Sequence, residues 1–157
     1  MGKQKINWMP FWRLLFLVYC GVMLWLLFDR THGWNSGLPY KEILRQNANL
    51  TPFYTIGNYI HVLQTSQERY MVTHCFLNLA GNVLLFIPAG WLLPKLWLNM
   101  RNFFRFFAVC AGAIFLVEIL QLFTLLGRFD IDDWILNISG MILGYLVYML
   151  FCRKSFS

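Results

Sequence analysis

The chain has 157 residues, of which 59% are apolar and 13% are charged, and its formal net charge is +6. A soluble domain of this length could not bury so much apolar surface, and the scarcity of charge argues against disorder. Nucleic-acid binding is not expected, because the basic residues do not gather in one patch. The composition is typical of an all-α integral membrane protein.

Four apolar windows are long enough to cross a bilayer as helices, which takes about 20 residues each. The first covers residues 10–28, the second 73–93 and the third 103–126, and the fourth helix covers 131–151 with its uncharged part from 134. Because lipid offers the backbone no hydrogen-bond partners, these windows are expected to be α-helices. We therefore predict a four-transmembrane-helix bundle, with residues 1–157 forming a single membrane domain.

Residues 29–72 form the only long connection and are predicted to be an outer loop. Its stretch 40–50 mixes Lys41, Glu42 and Arg45 with apolar residues, which is typical of a short interfacial helix. Pro52 is expected to end that helix. A second amphipathic piece is predicted over about 58–69.

The distribution of basic residues predicts the orientation of the bundle. With both termini inside, the short cytoplasmic segments contain Lys3, Lys5, Arg13, Lys95, Arg101, Arg105, Arg153 and Lys154. The much longer outer segments contain only Arg30, Lys41, Arg45, Arg69 and Arg128. Basic residues concentrate on the cytoplasmic side of membrane proteins, so we expect cytoplasmic N- and C-termini.

Polar side chains fall in the outer halves of three of the predicted spans. Because residues three or four apart share a helix face, each span presents its polar groups as a stripe. The stripes consist of Asn78 and Asn82, of Glu118 and Gln121, and of Asp133 and Asn137. A carboxylate inside a membrane is costly unless it is paired or neutral, so Glu118 is expected to face the bundle interior and is the candidate catalytic residue if the protein is an enzyme. The alternative is that these groups only join helices, as amides in membranes commonly do.

The segment 127–133 combines Arg128 with Asp130, Asp132 and Asp133 at the outer mouth of this polar region. One interpretation is a ligand site, in which the carboxylates hold a divalent cation or Arg128 holds a phosphate-bearing headgroup. The other is that the acidic residues cap the fourth helix and suit its dipole. The sequence does not decide between the two.

Two further features concern helix packing. Gly140 and Gly144 form a GxxxG pair, which predicts close approach of a neighbouring helix. Pro88 is expected to kink the second span, and Pro94 is expected to end it.

Three blocks of this sequence resemble the VanZ-like family of membrane proteins. Residues 49–53 (NLTPF) are similar to the family's NLxPF element. The second span resembles its NxxxN…FxPxG helix at Asn78, Asn82, Phe86, Pro88 and Gly90. The third block is similar to the ExxQ…R…DxxDxxxN(T/S)xGxxxG signature at Glu118, Gln121, Arg128, Asp130, Asp132, Asp133, Asn137, Gly140 and Gly144.

The resemblance implies a bacterial cytoplasmic-membrane protein associated with resistance to teicoplanin and related lipoglycopeptides. Our leading hypothesis is a non-enzymatic protein that binds a lipidic or lipid-linked envelope ligand in an outward-facing polar cavity. The predicted ligand-binding residues are Asn78, Asn82, Glu118, Gln121, Arg128, Asp130, Asp133 and Asn137. Expected partners are membrane lipids and either a lipid-linked cell-wall precursor or the lipoglycopeptide.

Two alternatives remain open. In one, the protein is an intramembrane enzyme that acts on a lipid headgroup or cell-wall precursor, with Glu118 as acid or base and a divalent cation at Asp130, Asp132 and Asp133. In the other, it is a structural subunit whose polar residues only join helices. The leading hypothesis needs no cofactor, and the sequence does not fix the oligomeric state.

Overall fold

A computed structural model describes residues 8–28 and 37–151 of the chain. The predicted features at positions 1–7, 29–36 and 152–157, including the basic residues at 3, 5, 30, 153 and 154, lie outside the described residues. The helices are α1 (Met9–Phe28), α2 (Tyr40–Gln46), α3 (Tyr54–Thr65), α4 (Arg69–Leu96), α5 (Phe103–Thr124) and α6 (Ile131–Phe151). Two short strands, β1 (Ala48–Asn49) and β2 (Phe129–Asp130), and a 3-10 turn (Leu98–Arg101) complete them.

Four of these helices are long and apolar enough to cross a membrane: α1, α4, α5 and α6, with 20, 28, 22 and 21 residues. Their backbone hydrogen bonds are made within each helix, which is what a spanning segment requires in lipid. The predicted all-α membrane fold with four spanning helices is therefore confirmed. We call the end of the bundle that carries residues 37–68 and 125–130 the loop end, and the end that carries the 3-10 turn the hairpin end.

Parallel helices α4 and α6 form the centre of the bundle, and glycines let their backbones touch. A Cβ atom added at Gly140 would lie 2.1 Å from the carbonyl oxygen of Val83, and one at Gly144 would lie 2.1 Å from that of Ile87. Gly90 makes the reciprocal approach from α4. No larger side chain fits at these positions, so the predicted packing role of the GxxxG pair is confirmed.

Helices α5 and α1 pack around this central pair. α5 contributes Phe106, Cys110 and Ile114 to the core, whereas Met23 is the buried residue of α1. Near the hairpin end, the Lys95 ammonium lies 3.3 Å from the centre of the Trp12 ring, a cation–π contact between α4 and α1. α1 is thus the most lipid-exposed of the four spanning helices.

The predicted boundaries of three helices were wrong. α4 begins at Arg69 rather than 73, and it continues past Pro94 to Leu96. A proline in the last turn removes only one helical hydrogen bond, because it lacks one backbone N–H. The carbonyl of Pro94 itself, near the end of the helix, accepts a hydrogen bond from the Arg101 Nε–H at 3.3 Å. The loop helices also differ: α3 occupies Tyr54–Thr65 instead of 58–69, and α2 stops at Gln46 because the next residues pair as a strand.

Candidate functional site

Two distant pieces of the chain meet at the loop end by backbone pairing. Strands β1 and β2 are parallel, with Ala48 opposite Phe129 and Asn49 opposite Asp130. The N–H of Phe129 donates to the carbonyl of Asn47 at 2.9 Å. This pairing places the NLTPF segment directly against the acidic segment that precedes α6.

Asp130 is the acceptor at the centre of this junction. Its carboxylate accepts hydrogen bonds from the Thr55 hydroxyl at 2.6 Å and from the Asn49 amide at 3.3 Å. It also accepts the backbone N–H of Asp132 at 2.9 Å, which makes Asp130 the N-cap of α6. Of the two interpretations of the acidic segment, capping of the fourth helix is thus observed for Asp130, and the same carboxylate holds the loop in place.

Asp132 is fully buried and stabilises a different helix. Its two carboxylate oxygens accept the backbone N–H groups of Phe53, at 2.5 Å, and of Ile56, at 3.0 Å. These groups belong to the first turn of α3, where backbone donors otherwise have no partner. The N-cap residue Phe53 has a left-handed backbone (φ 62°), a conformation that costs a non-glycine residue about 1–3 kcal/mol. Asp132 thus holds the start of α3 against α6 in a strained geometry.

Asp133 joins α6 to α4. The side-chain amide of Asn82 donates to the Asp133 carboxylate at 2.5 Å and to the side-chain Oδ1 of Asn78 at 3.3 Å. The α4 amides thus meet the acidic start of α6, and both Asn82 and Asp133 belong to the predicted set of ligand-binding residues. Among the residues that the structure describes, no group of three or more His, Cys, Asp or Glu side chains is placed to hold a metal ion.

A polar cavity of about 330 Å³ lies beside the β1–β2 pair, and we call it the loop-end cavity. Its wall is formed by residues 46–49, Tyr54, Thr55, Arg128 and Asp130. Arg128 is exposed, whereas Asn47 is 3% exposed and its Nδ2 is a buried donor that forms no hydrogen bond with any residue that the structure describes. The cavity is therefore lined by polar groups of both loop segments.

Of the predicted ligand-binding residues, Arg128 and Asp130 line this cavity. The other six lie in the spanning helices and are absent from its wall: Asn78, Asn82, Glu118, Gln121, Asp133 and Asn137. Their role in ligand binding stays a prediction. Glu118 is 3% exposed, so the expectation that this acid faces the protein interior rather than lipid is confirmed.

Two of these residues, Gln121 and Asn137, have buried side-chain amides that differ in their hydrogen bonding. The Gln121 amide, 3% exposed, donates to the Leu27 carbonyl at 2.7 Å and so ties α5 to the end of α1. Asn137 is 2% exposed, and its Oδ1 is a buried acceptor without a hydrogen bond.

Sequence reasoning missed the contribution to the site of the NLTPF segment and of the residues on either side of it. Asn49 and Thr55 bind Asp130, and Asn47 lines the cavity, yet none of them was a predicted site residue. The available signal was the similarity of residues 49–53 to a family element, which includes only Asn49 of these three residues.

A second cavity, of about 360 Å³, lies between the spanning helices α1, α4 and α5. Its lining is almost entirely apolar and includes Met23, Phe86 and Ala113. We call it the apolar cleft. A space with this lining, bounded by the loosely packed α1, suits an acyl chain.

These features define a class of protein: a multi-pass helical membrane protein whose loop segments are held by the carboxylates of Asp130 and Asp132 beside a polar cavity at one end of the bundle. Residues 16–152 match the VanZ/LLP1 family, and the chain belongs to that family. It is 30% identical over 141 residues to Protein VanZ of Enterococcus faecium, an alignment that covers 88% of this chain and 73% of that protein. No solved structure gives a significant match.

Proposed function

We propose that the protein resides in the bacterial cytoplasmic membrane and protects the cell against teicoplanin-type lipoglycopeptides by binding a lipidic or lipid-linked envelope ligand in the loop-end cavity. Family membership and the similarity to Protein VanZ support the resistance role. The observation that carries the binding role is the loop-end cavity, whose wall combines Arg128 with Asn47.

The proposed orientation places the loop end outside the cell. At the hairpin end the described residues include Lys95, Arg101 and Arg105 within about ten positions, in agreement with the excess of basic residues on cytoplasmic segments. The loop-end cavity then faces the compartment in which lipoglycopeptides act on lipid-linked wall precursors.

Two features of the structure support a lipidic ligand. The cavity wall includes Arg128, which lies between the end of α5 at Thr124 and the start of α6 at Ile131, at the height of the lipid headgroups. The apolar cleft between α1, α4 and α5 offers space for an acyl chain within the membrane. A membrane-embedded ligand would supply both a polar and an apolar part.

The enzymatic alternative requires the three aspartates to converge on one cation. Instead, each carboxylate accepts hydrogen bonds from its own set of donors: Asp130 from Asn49 of β1 and Thr55 of α3, Asp132 from two backbone N–H groups at the start of α3, and Asp133 from α4. This arrangement favours a role in building the site over a role in holding a metal.

A susceptibility assay tests the proposal. In a susceptible host that expresses the chain, wild type should raise the inhibitory concentration of teicoplanin, and Arg128→Ala should abolish this protection at equal membrane abundance. The matched control is Arg69→Ala, since Arg69 is an exposed arginine at the loop end that does not line the cavity. Full protection by Arg128→Ala would contradict the proposal.

A further inference from the structure

The loop-end cavity contains two hydrogen-bond donors for which the described residues provide no acceptor. No ion pair or hydrogen bond joins the Arg128 guanidinium to another of the described residues. The Asn47 Nδ2 is buried without a hydrogen bond, although a buried unpaired donor costs about 1–3 kcal/mol. The cavity wall therefore has unused capacity to donate hydrogen bonds.

The Asp130 carboxylate in the same wall already accepts hydrogen bonds from other groups of the protein. Asp130 accepts hydrogen bonds from Asn49, from Thr55 and from the backbone N–H of Asp132. Three donors on one carboxylate delocalise its negative charge and leave it little need for a cation. The electrostatic balance of the cavity thus favours a ligand that brings acceptor oxygens and negative charge.

The position of the cavity narrows the choice of anion. Arg128 lies four residues beyond the end of one spanning helix and three before the start of the next, so in a bilayer crossed by these two helices we expect it at the level of the headgroups. Phosphate is the anionic group that membrane lipids present at this level. A planar guanidinium binds phosphate through two parallel hydrogen bonds, which an ammonium cannot do.

We propose that the loop-end cavity binds a phosphate group, with the Arg128 guanidinium and the Asn47 amide as donors; this rests on the proposed function and names the chemistry of its ligand. Asn47 is well placed for such a role, because its backbone is fixed by the hydrogen bond from Phe129 and by the end of α2. A phosphate oxygen that reached its amide would satisfy a donor that the protein itself leaves unpaired.

Titration calorimetry on the full chain in a phosphate-free detergent tests this proposal. The probes are dihexanoyl phosphatidic acid, dihexanoylglycerol as its uncharged counterpart, and inorganic phosphate. We expect phosphatidic acid to bind, dihexanoylglycerol to bind at least about tenfold more weakly, and Arg128→Ala to weaken phosphatidic acid binding by about 10- to 100-fold, the range of a charge-assisted hydrogen bond.

Further variants separate chemistry from structure. Arg128→Lys should restore part of the affinity, since it keeps the charge but not the two-pronged geometry. Asn47→Ala should weaken binding by about 3- to 10-fold, the range of a neutral hydrogen bond, and Asn47→Asp should weaken it further because it adds a negative charge. Arg69→Ala should leave the affinity unchanged.

Each result decides a separate point. Equal binding of the phosphate and uncharged lipids, or unchanged binding by Arg128→Ala, would overturn the inference. Inorganic phosphate that binds as tightly as phosphatidic acid would support a phosphate site filled from solution, and much weaker binding would support a lipid source. If Arg128→Ala abolishes protection but the wild-type protein binds no phosphate, only this inference is refuted. If the wild-type protein binds phosphate through Arg128 but Arg128→Ala still protects fully, the proposed function is refuted.

Discussion

Replacing Asp132 should detach the start of α3 from the bundle. The Asp132 carboxylate is fully buried and accepts the N–H groups of Phe53 and Ile56, at 2.5 and 3.0 Å. Alanine at position 132 would leave both donors without an acceptor. Asparagine would keep the shape but turn one acceptor into a donor that faces a backbone N–H.

The expected magnitude follows from these contacts. Each hydrogen bond to a charged group contributes about 1.5–3 kcal/mol, so the two together contribute about 3–6 kcal/mol to holding α3 in place. Release of the left-handed backbone of Phe53 returns about 1–3 kcal/mol. With the middle of each range, the free energy of opening α3 locally should fall by about 2–3 kcal/mol in Asp132→Ala, which corresponds to a roughly 30- to 150-fold increase in the open population.

Hydrogen exchange measured by mass spectrometry on the purified protein reads this opening directly. Peptides covering 51–58 should exchange roughly 30- to 150-fold faster in Asp132→Ala, and somewhat less so in Asp132→Asn, while peptides from α4 and α6 keep wild-type rates. Glu68→Ala is the control, because Glu68 is an exposed acid at the loop end whose side chain caps nothing.

Unchanged exchange over 51–58 in Asp132→Ala would refute the assignment of Asp132 as the group that holds α3. Faster exchange across all four spanning helices would refute the view that its contribution is local.

Two further predictions concern packing and topology. Gly140→Ala should destabilise the purified protein by about 1–3 kcal/mol in thermal unfolding, because the added Cβ would collide with the Val83 carbonyl oxygen. Gly112→Ala is the control and should be neutral or slightly stabilising, because there is open space around Gly112. In whole cells, a membrane-impermeant thiol reagent should label Thr51→Cys but not Asn99→Cys; the reverse pattern would contradict the proposed orientation.

The sequence predicted the spanning helices well because the bilayer imposes a length and a composition on them. α1 begins within one residue of its predicted start, and α5 ends two residues before its predicted end. The contacts of Gly140 and Gly144 were also predictable, since a helix made mostly of large apolar residues uses glycine where another backbone must come close.

The architecture of the loop end could not be predicted in the same way. Asn49 and Asp130 are 81 positions apart, and a two-residue parallel strand leaves no periodic pattern in the sequence. Capping of α6 was one of the two interpretations that the sequence left open for the acidic segment, but capping rules describe only a residue's own helix. They could not indicate that Asp132 accepts the N–H groups of α3.

The central claim is that the loop-end cavity binds an envelope ligand through Arg128, and native mass spectrometry tests it most directly. Protein released gently from bacterial membranes should carry a bound lipid-sized adduct in wild type and in Arg69→Ala, and this adduct should be lost in Arg128→Ala. An adduct of the same mass and occupancy in all three proteins would contradict the account.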